Sequence, residues 1–530
     1  MSATFELVAK TLKGLEGVLA DELRNLGAEE VEPGCRMVSF RGDLAIMYRA
    51  NVWCRTALSI LKPIYQFTAS DTDELYALVK EYNWGEVMSI GKSFSITSTV
   101  NSQEFTNSRY VIYRVKDAIV DWFKDRYGED KRPSVSVSDA EVSVNVHIDG
   151  TRVTISLNSS GEPLYRRGWR VAQTEAPINE VLAAGIILMS GWKGDTPFVD
   201  PMCGSGTFLV EAAMIAADIA PGSYRKSWAF ENWRDFDGEL LEQVLAEKTP
   251  RLDIPFRIYG SDISPKAIQI AERNVLSAKV DDFVSLRVRP LREWETAPLD
   301  GEVAGTIVTN PPYGERLNVE DLNNLYRTLG KKLKHVFTGW HAWIISSNME
   351  SLDHIGLTPS LKVDLQNGGI DCELREYVTF EGTKSEFRRS GGAVKHERSE
   401  KGERPARSPR KSDAEWRREA RDKGLGGRKG EKSPRESQHK GPEKRTPLSE
   451  KYRPKKGGFA RNAERRREFK EKTAEMSEAE EMLARKRNEG ALNLLINPTR
   501  PSITGPAMRF RKRWKRPDAG TDESGEAKND

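Results

Sequence analysis

The chain has 530 residues, of which 31% are charged and 38% hydrophobic, and this length suits two to four domains better than one core. Its net charge of +4 averages two unlike parts, because residues 1–385 carry 42 basic and 54 acidic side chains whereas residues 386–530 carry 41 and 25. We find no apolar run that could span a membrane, no signal-peptide core, and no disulfide or metal pattern among four scattered cysteines and six histidines, so we expect a cytoplasmic protein with neither metal nor membrane partner.

The first part of the chain, residues 1–62, has the pattern of a small α/β unit. Apolar residues at helical spacing predict helices at 12–26 and 43–55, and short apolar runs predict strands at 5–8 and 38–40.

The next part, residues 63–160, has a different pattern. We predict helices at 73–82 and 108–127 and a half-buried strand at 94–100, where apolar and polar residues alternate. Segments 141–148 and 152–157 alternate in the same way on either side of Asp149-Gly150, which is typical of a β-hairpin.

From 161 to 384 the predicted strands and helices alternate. Repeated β-α units predict a mostly parallel, doubly wound sheet with helices on both faces. The predicted strands lie at 197–200, 257–262, 304–309 and 340–346, and the predicted helices at 207–220, 265–276 and 322–337.

The last part, residues 385–530, is a basic tail rich in Lys, Arg, Glu, Ser, Gly and Pro. Such a composition cannot bury enough apolar surface to offset the entropy lost on ordering, so we expect the tail to be largely disordered. Two segments are exceptions: a charged helical pattern at 463–488, and residues 492–496 followed by 508–516, which resemble a short linear motif for ordering on a partner.

A glycine-rich loop follows the predicted strand at 197–200 and opens a helix. Glycines two residues apart let backbone amides approach a ligand closely. The loop lacks the lysine of a phosphate-binding loop and the third glycine of a dinucleotide fingerprint; the alternative is a tight β-α turn that binds nothing. It reads Asp200, Pro201, Met202, Cys203, Gly204, Ser205, Gly206, Thr207.

Asp262 ends the predicted strand at 257–262. An acidic residue at the tip of the second strand of such a sheet can accept hydrogen bonds from both hydroxyls of a ribose. The alternative is that Asp262 caps the following helix, whose first turn carries Pro265. The distance in sequence from Gly206 is unusually long, so residues 221–255 are expected to form an insertion or an extra helix.

The most specific motif is Asn310-Pro311-Pro312-Tyr313, which closes the strand at 304–309. The exocyclic amine of a nucleobase is a poor nucleophile, and two acceptors aimed at its N–H bonds would direct its lone pair at a methyl donor. The side-chain oxygen of Asn310 and the carbonyl of Pro311 are candidate acceptors, the prolines stiffen the loop, and Tyr313 offers a face for stacking on the base. The alternative is an ordinary turn at the end of a strand.

In this order, the loop at 200–207, Asp262 and the tetrapeptide at 310–313 resemble an amino-directed, S-adenosylmethionine-dependent methyltransferase of class I. Further segments resemble a THUMP domain and the RlmL-type family, bacterial methyltransferases that act on N2 of a guanine in 23S ribosomal RNA. These segments are Lys116-Asp117-Ala118-Ile119, Arg132-Pro133, and residues 160–170, 175–180, 200–222 and 367–372.

This resemblance covers residues 1–382 and, with the tail inferred from composition, divides the chain into four parts. They are a ferredoxin-like segment at 1–62, an RNA-binding THUMP domain at 63–160 with an alternative start near 45, a Rossmann-like methyltransferase domain at 161–384, and the tail. It also implies S-adenosylmethionine as cofactor and a catalytic role for Asn310, Pro311, Pro312 and Tyr313. The implied cofactor residues are Asp200, Pro201, Cys203, Gly204, Ser205, Gly206, Thr207 and Asp262.

The sequence departs from the family pattern at three places. No second methyltransferase domain follows the first, so one activity is expected. Val288-Arg289-Pro290-Leu291 stands where an adenine-contacting Asp often occurs, which leaves the adenine contact open, and Asn158 replaces a common Asp in the THUMP segment.

The expected partner is RNA, either 23S ribosomal RNA or a ribosome assembly intermediate. Cations interleave with aromatic residues in two clusters that suit phosphate contact and base stacking, or alternatively form a structural linker and a core-packing helix. The tail is expected to add non-specific affinity for RNA or to bind a protein partner; the alternative is a solvated extension that binds nothing. The clusters are Tyr165, Arg166, Arg167, Trp169 and Arg170, and Tyr224, Arg225, Lys226, Trp228, Trp233 and Arg234.

The leading interpretation is therefore a guanine-N2 methyltransferase of ribosomal RNA. A transfer-RNA guanine-N2 enzyme, a DNA adenine-N6 methyltransferase and a non-catalytic RNA-binding assembly factor remain alternatives. The RNA-type N-terminal module counts against the DNA enzyme, and the intact loop and tetrapeptide count against a non-catalytic factor.

Overall fold

The computed structural model describes residues 4–136, 140–175, 177–312, 318–382 and 384–389. Two sheets organise these residues, one of eight strands and one of seven. Predictions made for the tail from residue 390 onward and for Tyr313 lie outside the described residues. None of the described helices is both long and apolar enough to cross a membrane.

The N-terminal sheet has the strand order β2-β3-β1-β4-β8-β7-β5-β6. Strand β4 lies in its middle and pairs antiparallel with β1 on one side and with β8 on the other. The predicted boundary at 62/63 therefore falls within one strand that the two halves share. The bounds are β1 Phe5–Lys10, α1 Glu16–Asn25, β2 Glu29–Gly34, β3 Met37–Gly42, α2 Leu44–Trp53, β4 Ser59–Thr68, α3 Thr72–Glu81, β5 Ser93–Asn101, α4 Ser108–Tyr127, β6 Ser134–Val135, β7 Val142–Asp149 and β8 Arg152–Asn158.

The predicted hairpin is confirmed, because β7 and β8 pair antiparallel with Asp149 opposite Arg152. Gly150 in its turn has a φ of +60°, a left-handed value that glycine adopts without strain.

The second sheet has the order β11-β10-β9-β12-β13-β15-β14, and its first five strands run parallel. Strand β15 is antiparallel to both β13 and β14. The bounds are α5 Glu180–Met189, β9 Phe198–Asp200, α6 Thr207–Ala216, α7 Gly238–Ala246, β10 Ile258–Asp262, α8 Pro265–Ser277, β11 Val284–Val288, β12 Thr306–Thr309, α9 Val319–His335, β13 His341–Ser346, α10 Met349–Asp353, β14 Leu361–Asn367, β15 Ile370–Val378 and α11 Lys384–Arg389.

Helices cover both faces of this sheet. Val308 packs on the face that α5, α6 and α8 cover, whereas Ile307 packs on the face of α9 and α10. Both faces are buried, which explains why these strands read as continuous apolar runs. The predicted doubly wound, Rossmann-like fold after an α+β module is confirmed.

The long connection between α6 and β10 contains the extra helix, α7, as the sequence suggested. Residues of this connection pack into the core of the N-terminal module: Phe230 stacks on Tyr48 at 4.4 Å between ring centroids. An ion pair of 2.6 Å joins Arg49 to Glu247, and Trp53 Nε1 donates to the carbonyl of Val244. The insertion thus fastens the N-terminal module to the second sheet.

Candidate active site

The three sequence motifs meet at one edge of the second sheet. Strands β9, β10 and β12 are neighbours and end there in Asp200, Asp262 and Thr309. The strand order reverses at β9, and ligands of open α/β sheets bind outside the carboxyl ends of the strands at such a point.

A cavity of about 800 Å³ opens at this edge, within the roughly 300–1,000 Å³ range that small-molecule sites span. It brings together all the predicted site residues that the structure describes except Gly206. Those lining it are Asp200, Pro201, Cys203, Gly204, Ser205, Thr207, Asp262, Asn310, Pro311 and Pro312.

The glycine-rich loop takes its shape from two left-handed residues. Gly204 has a φ of +52° and Gly206 a φ of +81°. Gly206 is the N-cap of α6, and a Cβ there would lie 3.1 Å from Cβ of Ala271 on α8. The loop therefore turns tightly enough to bring the start of α6 to the cavity.

Asp200 is a buried carboxylate at the base of the cavity. The Thr309 hydroxyl donates to its Oδ1 at 2.8 Å, and the amide of Met202 donates to the same atom at 3.2 Å. Burial outweighs these two bonds and raises the pKa of Asp200 to about 7.

Asp262 does not cap the following helix, so that alternative is wrong. The N-cap of α8 is Ser264, whose side chain accepts from the amide of Ala267. Asp262 accepts from the amides of Gly204 at 3.0 Å and Ser264 at 2.9 Å, one on each carboxylate oxygen. Each oxygen keeps a lone pair for a further donor in the cavity.

The side-chain oxygen of Asn310 has no hydrogen-bond donor among the described residues. This Oδ1 atom is buried, although the side chain lines the cavity. A buried unpaired carbonyl oxygen costs about 1–3 kcal/mol, so an incoming N–H group would relieve that cost.

Sequence reasoning missed several cavity-lining residues. The junction before α5 contributes Gln173, Thr174, Pro177 and Ile178, and one face of α9 contributes Asp321, Asn324, Leu325 and Thr328. Ile263, 64% exposed, lines the cavity beside Asp262; a large apolar residue directly after the acidic strand end was the signal that could have indicated it. Pro290 and Leu291, where the adenine contact was left open, also line the cavity.

Asn274 was also missed. It is fully buried on α8 at the helical spacing of Ala267 and Ala271, and a polar residue in such a stripe is a usable signal. Its side chain donates to the carbonyl of Ser205 at 2.9 Å and so supports the glycine-rich loop from below.

The two cation-aromatic clusters have mainly structural roles, which were the alternatives to RNA contact. Trp228 and Trp233 are buried in the core of the N-terminal module, and Arg225 donates to four backbone carbonyls between Ser160 and Arg166. Arg167 is buried against Glu211 at 3.3 Å. Most of the cations and aromatic residues predicted for RNA therefore hold the fold.

No group of three or more potential metal ligands occurs in the described part of the chain. The polar groups of the cavity are instead carboxylates, hydroxyls, backbone amides, three side-chain amides (Gln173, Asn310 and Asn324) and the cations Lys266 and Arg292. These groups and the cavity's size fit a nucleoside-type cofactor.

Comparison with known proteins divides the chain into three matched regions. The RlmL ferredoxin-like domain matches residues 6–61, the THUMP domain 69–158, and the RMKL-like methyltransferase domain 167–376.

Two curated relatives each match about 70% of the chain. The chain is 39% identical over 387 residues to the ribosomal RNA large subunit methyltransferase K/L of Syntrophotalea carbinolica, covering 71% of this chain and 54% of that protein, so it spans about half the length of this relative. It is 35% identical to a putative RNA methyltransferase of Synechocystis, covering 70% of this chain and 96% of that protein.

A solved structure has the same fold. SMU.472, a putative methyltransferase complexed with SAH, superposes with a TM-score of 0.64 at 31% identity, covering 72% of this chain and all of that one. With the cavity at the switch point of a class I sheet, these matches show that the chain belongs to the RlmL-type family of THUMP-domain methyltransferases, which use S-adenosylmethionine.

Proposed function

We propose that the protein transfers a methyl group from S-adenosylmethionine to the exocyclic N2 amine of a guanine in RNA. The substrate we propose is 23S ribosomal RNA or a ribosome assembly intermediate. The observation that carries the proposal is Asn310, which lines the cavity and whose buried Oδ1 has no donor among the described residues.

The cofactor would lie along the glycine-rich loop, between the ends of β9 and β10. Asp262 would accept hydrogen bonds from the ribose hydroxyls, and Asp200 with the loop at 201–207 would form the floor. When bound, S-adenosylmethionine supplies an electrophilic methyl group on a positively charged sulfur.

The chain's own part in catalysis would be to orient the amine. Asn310 Oδ1 and the carbonyl of Pro311 would accept its two N–H bonds and so direct its lone pair into the cavity. Pro311 and Pro312 restrict the loop, and Tyr313 would stack on the base. No strong base is needed, because the amine can lose its proton after transfer, and most of the acceleration would come from placement.

RNA is the proposed substrate class for two reasons. A THUMP domain matches residues 69–158, and the curated relatives are named as RNA methyltransferases. The guanine N2 target follows from the RlmL-type resemblance together with an acceptor pair suited to an amine. A transfer-RNA guanine would meet the same acceptors, and so would the N6 amine of a DNA adenine.

The test is to incubate the full chain and S-adenosylmethionine in three separate reactions, one each with undermethylated ribosomal RNA, transfer RNA and duplex DNA. Nucleoside analysis by mass spectrometry should find N2-methylguanosine in ribosomal RNA. N6-methyladenine in the DNA, or methyl transfer to no nucleic acid, would refute the proposal.

A further inference from the structure

Arg170 lies in the junction that connects β8 to α5 and belongs to the first of the two clusters for which RNA contacts were predicted. Its side chain is 16% exposed and extends towards the glycine-rich loop. Its guanidinium also covers the ring of Trp169, 4.9 Å from the centroid. The residue is therefore placed for a task at the cofactor site.

All three guanidinium nitrogens of Arg170 donate to side-chain oxygens. Nη1 donates to Ser205 Oγ at 3.1 Å and Nη2 to Thr207 Oγ1 at 2.9 Å. Nε donates at 2.6 Å to Glu180, whose side chain is 8% exposed and balances the charge. A planar guanidinium spans two hydroxyls that a single ammonium group could not hold in the same geometry.

The two hydroxyls flank the glycine at which the loop turns into α6. Gly206 lies between them with a φ of +81° and begins α6. Glycine loses more conformational freedom on ordering than any other residue, so the loop needs an external support to keep one conformation. The fork of Arg170 provides it on both sides of the glycine.

A second support ties the same junction to the same loop. Asn274 Oδ1 accepts from the amides of Val171 at 3.0 Å and Ala172 at 3.1 Å. Its Nδ2 donates to the carbonyls of Ala172 and Ser205, both at 2.9 Å. The backbone just after Arg170 is therefore held against the loop, which restricts the position of the guanidinium.

We propose that Arg170 is a positioning residue that acts through Ser205 and Thr207 to hold the glycine-rich loop in its cofactor-binding conformation. The inference rests on the proposed placement of the cofactor along this loop and extends it to a residue outside the cavity wall. Removing the Arg170 guanidinium should let the loop adopt other conformations. Cofactor affinity should then fall in proportion to the fraction of molecules whose loop is still in the binding conformation.

The experiment is calorimetric titration of the full-length protein with S-adenosylhomocysteine, free of RNA. Arg170→Ala should weaken binding at least tenfold. Arg170→Lys, which keeps a charge near Glu180 but cannot span both hydroxyls, should weaken it by at least threefold. Arg166→Ala is the matched control, because Arg166 lies in the same junction, is 60% exposed and pairs on the surface with Glu162; its affinity should stay within twofold of wild type.

A double-mutant cycle separates positioning from simple stabilisation. In a Ser205→Ala, Thr207→Val background the guanidinium has no hydroxyl to hold. Adding Arg170→Ala to this background should therefore weaken S-adenosylhomocysteine binding by less than threefold. A merely structural role would lower the melting temperature of every Arg170 variant equally in both backgrounds and leave the losses of affinity additive.

Additive losses, or an Arg170→Ala affinity within twofold of wild type, would overturn the inference about Arg170 while leaving the proposed function intact. If Arg170→Ala does not fold, Arg170→Lys gives the same decision in both backgrounds. A wild-type protein that fails to bind S-adenosylhomocysteine would overturn the cofactor placement, and with it both proposals.

Discussion

At the scale of single residues, the side chain of Asp200 connects β9, which leads into the glycine-rich loop, with β12, which leads into Asn310. Backbone pairing between β9 and β12 stops at Val199 and Ile307. Beyond that point the 2.8 Å bond from Thr309 to Asp200 joins the two strands, directly before Asn310. The position of the proposed amine acceptor therefore depends on a carboxylate that also supports the glycine-rich loop.

Replacing Thr309 by Val should destabilise the protein more at high pH than at low pH. Burial raises the pKa of Asp200 in the folded protein to about 7, above the pKa of the same carboxyl in the unfolded chain. The stability that the protonated carboxyl contributes at low pH is therefore lost as the pH rises towards 7 and the group ionises. A bond to the ionised form is worth about 1.5–3 kcal/mol, against roughly 0.5–1.5 for the neutral form.

The measurement is thermal unfolding of Thr309→Val and wild type at pH 5.5 and pH 8.5. The difference in melting temperature should be larger at pH 8.5. Thr306→Val, a buried substitution in the same strand, is the control and should show no such pH dependence. Equal losses for Thr309→Val at both pH values would contradict an ionised Asp200 as the partner.

Replacing Asn310 by Ala should separate binding from chemistry. The variant loses one proposed acceptor of the amine, so kcat should fall by about 10²–10³, as for the loss of one oriented donor at other sites. Affinity for S-adenosylhomocysteine should remain within about threefold, because the loop and Asp262 are untouched. A full rate in steady-state methyl transfer would refute the orienting role.

At the scale of elements, patterns local in sequence predicted the structure well. The helix at 108–127 has the predicted bounds, and the hairpin strands at 142–149 and 152–158 lie within one residue of the predicted ones, because periodicity and a two-residue turn are local signals. Strand β2 escaped prediction: Glu29, Glu32 and Pro33 give it the composition of a loop, yet an edge strand tolerates charges and proline.

The candidate site follows the same rule. Its loop, acidic strand end and tetrapeptide were visible as short motifs. Arg170 and Asn274 were not assigned to it, because their contacts with Ser205 span 35 and 69 residues of sequence and exist only after the junction has folded back.

The insertion between α6 and β10 is an element with a testable role. Phe230 is almost fully buried and packs on Tyr48 and Trp228. Phe230→Ala should cost about 3–5 kcal/mol of stability. Leu252→Ala, in the same insertion but 79% exposed, should change stability by less than about 0.5 kcal/mol. Thermal unfolding checks both, and equal melting temperatures would show that the insertion does not fasten the module.

At the scale of the whole molecule, charge separates the chain into an acidic folded body and a basic tail. Residues 390–530 carry 39 basic and 24 acidic side chains, so we propose that they add non-specific affinity for RNA. Truncation after residue 389 keeps α11, whose Phe387 stacks on Phe380 at 4.6 Å.

The truncated protein should bind RNA with a weaker dependence on salt and still transfer methyl groups. The measurement is the slope of log K against log salt concentration for the full and truncated proteins, because each neutralised phosphate adds to that slope. An unchanged slope, or loss of all activity, would contradict this auxiliary role.

The most direct test of the central claim is to compare modified nucleosides in cells with and without the gene. The account predicts that one N2-methylguanosine disappears from 23S ribosomal RNA and returns with the wild-type gene but not with Asn310→Ala. A full set of N2-methylguanosines in 23S ribosomal RNA, with loss of a methyl group from transfer RNA or DNA instead, would contradict it.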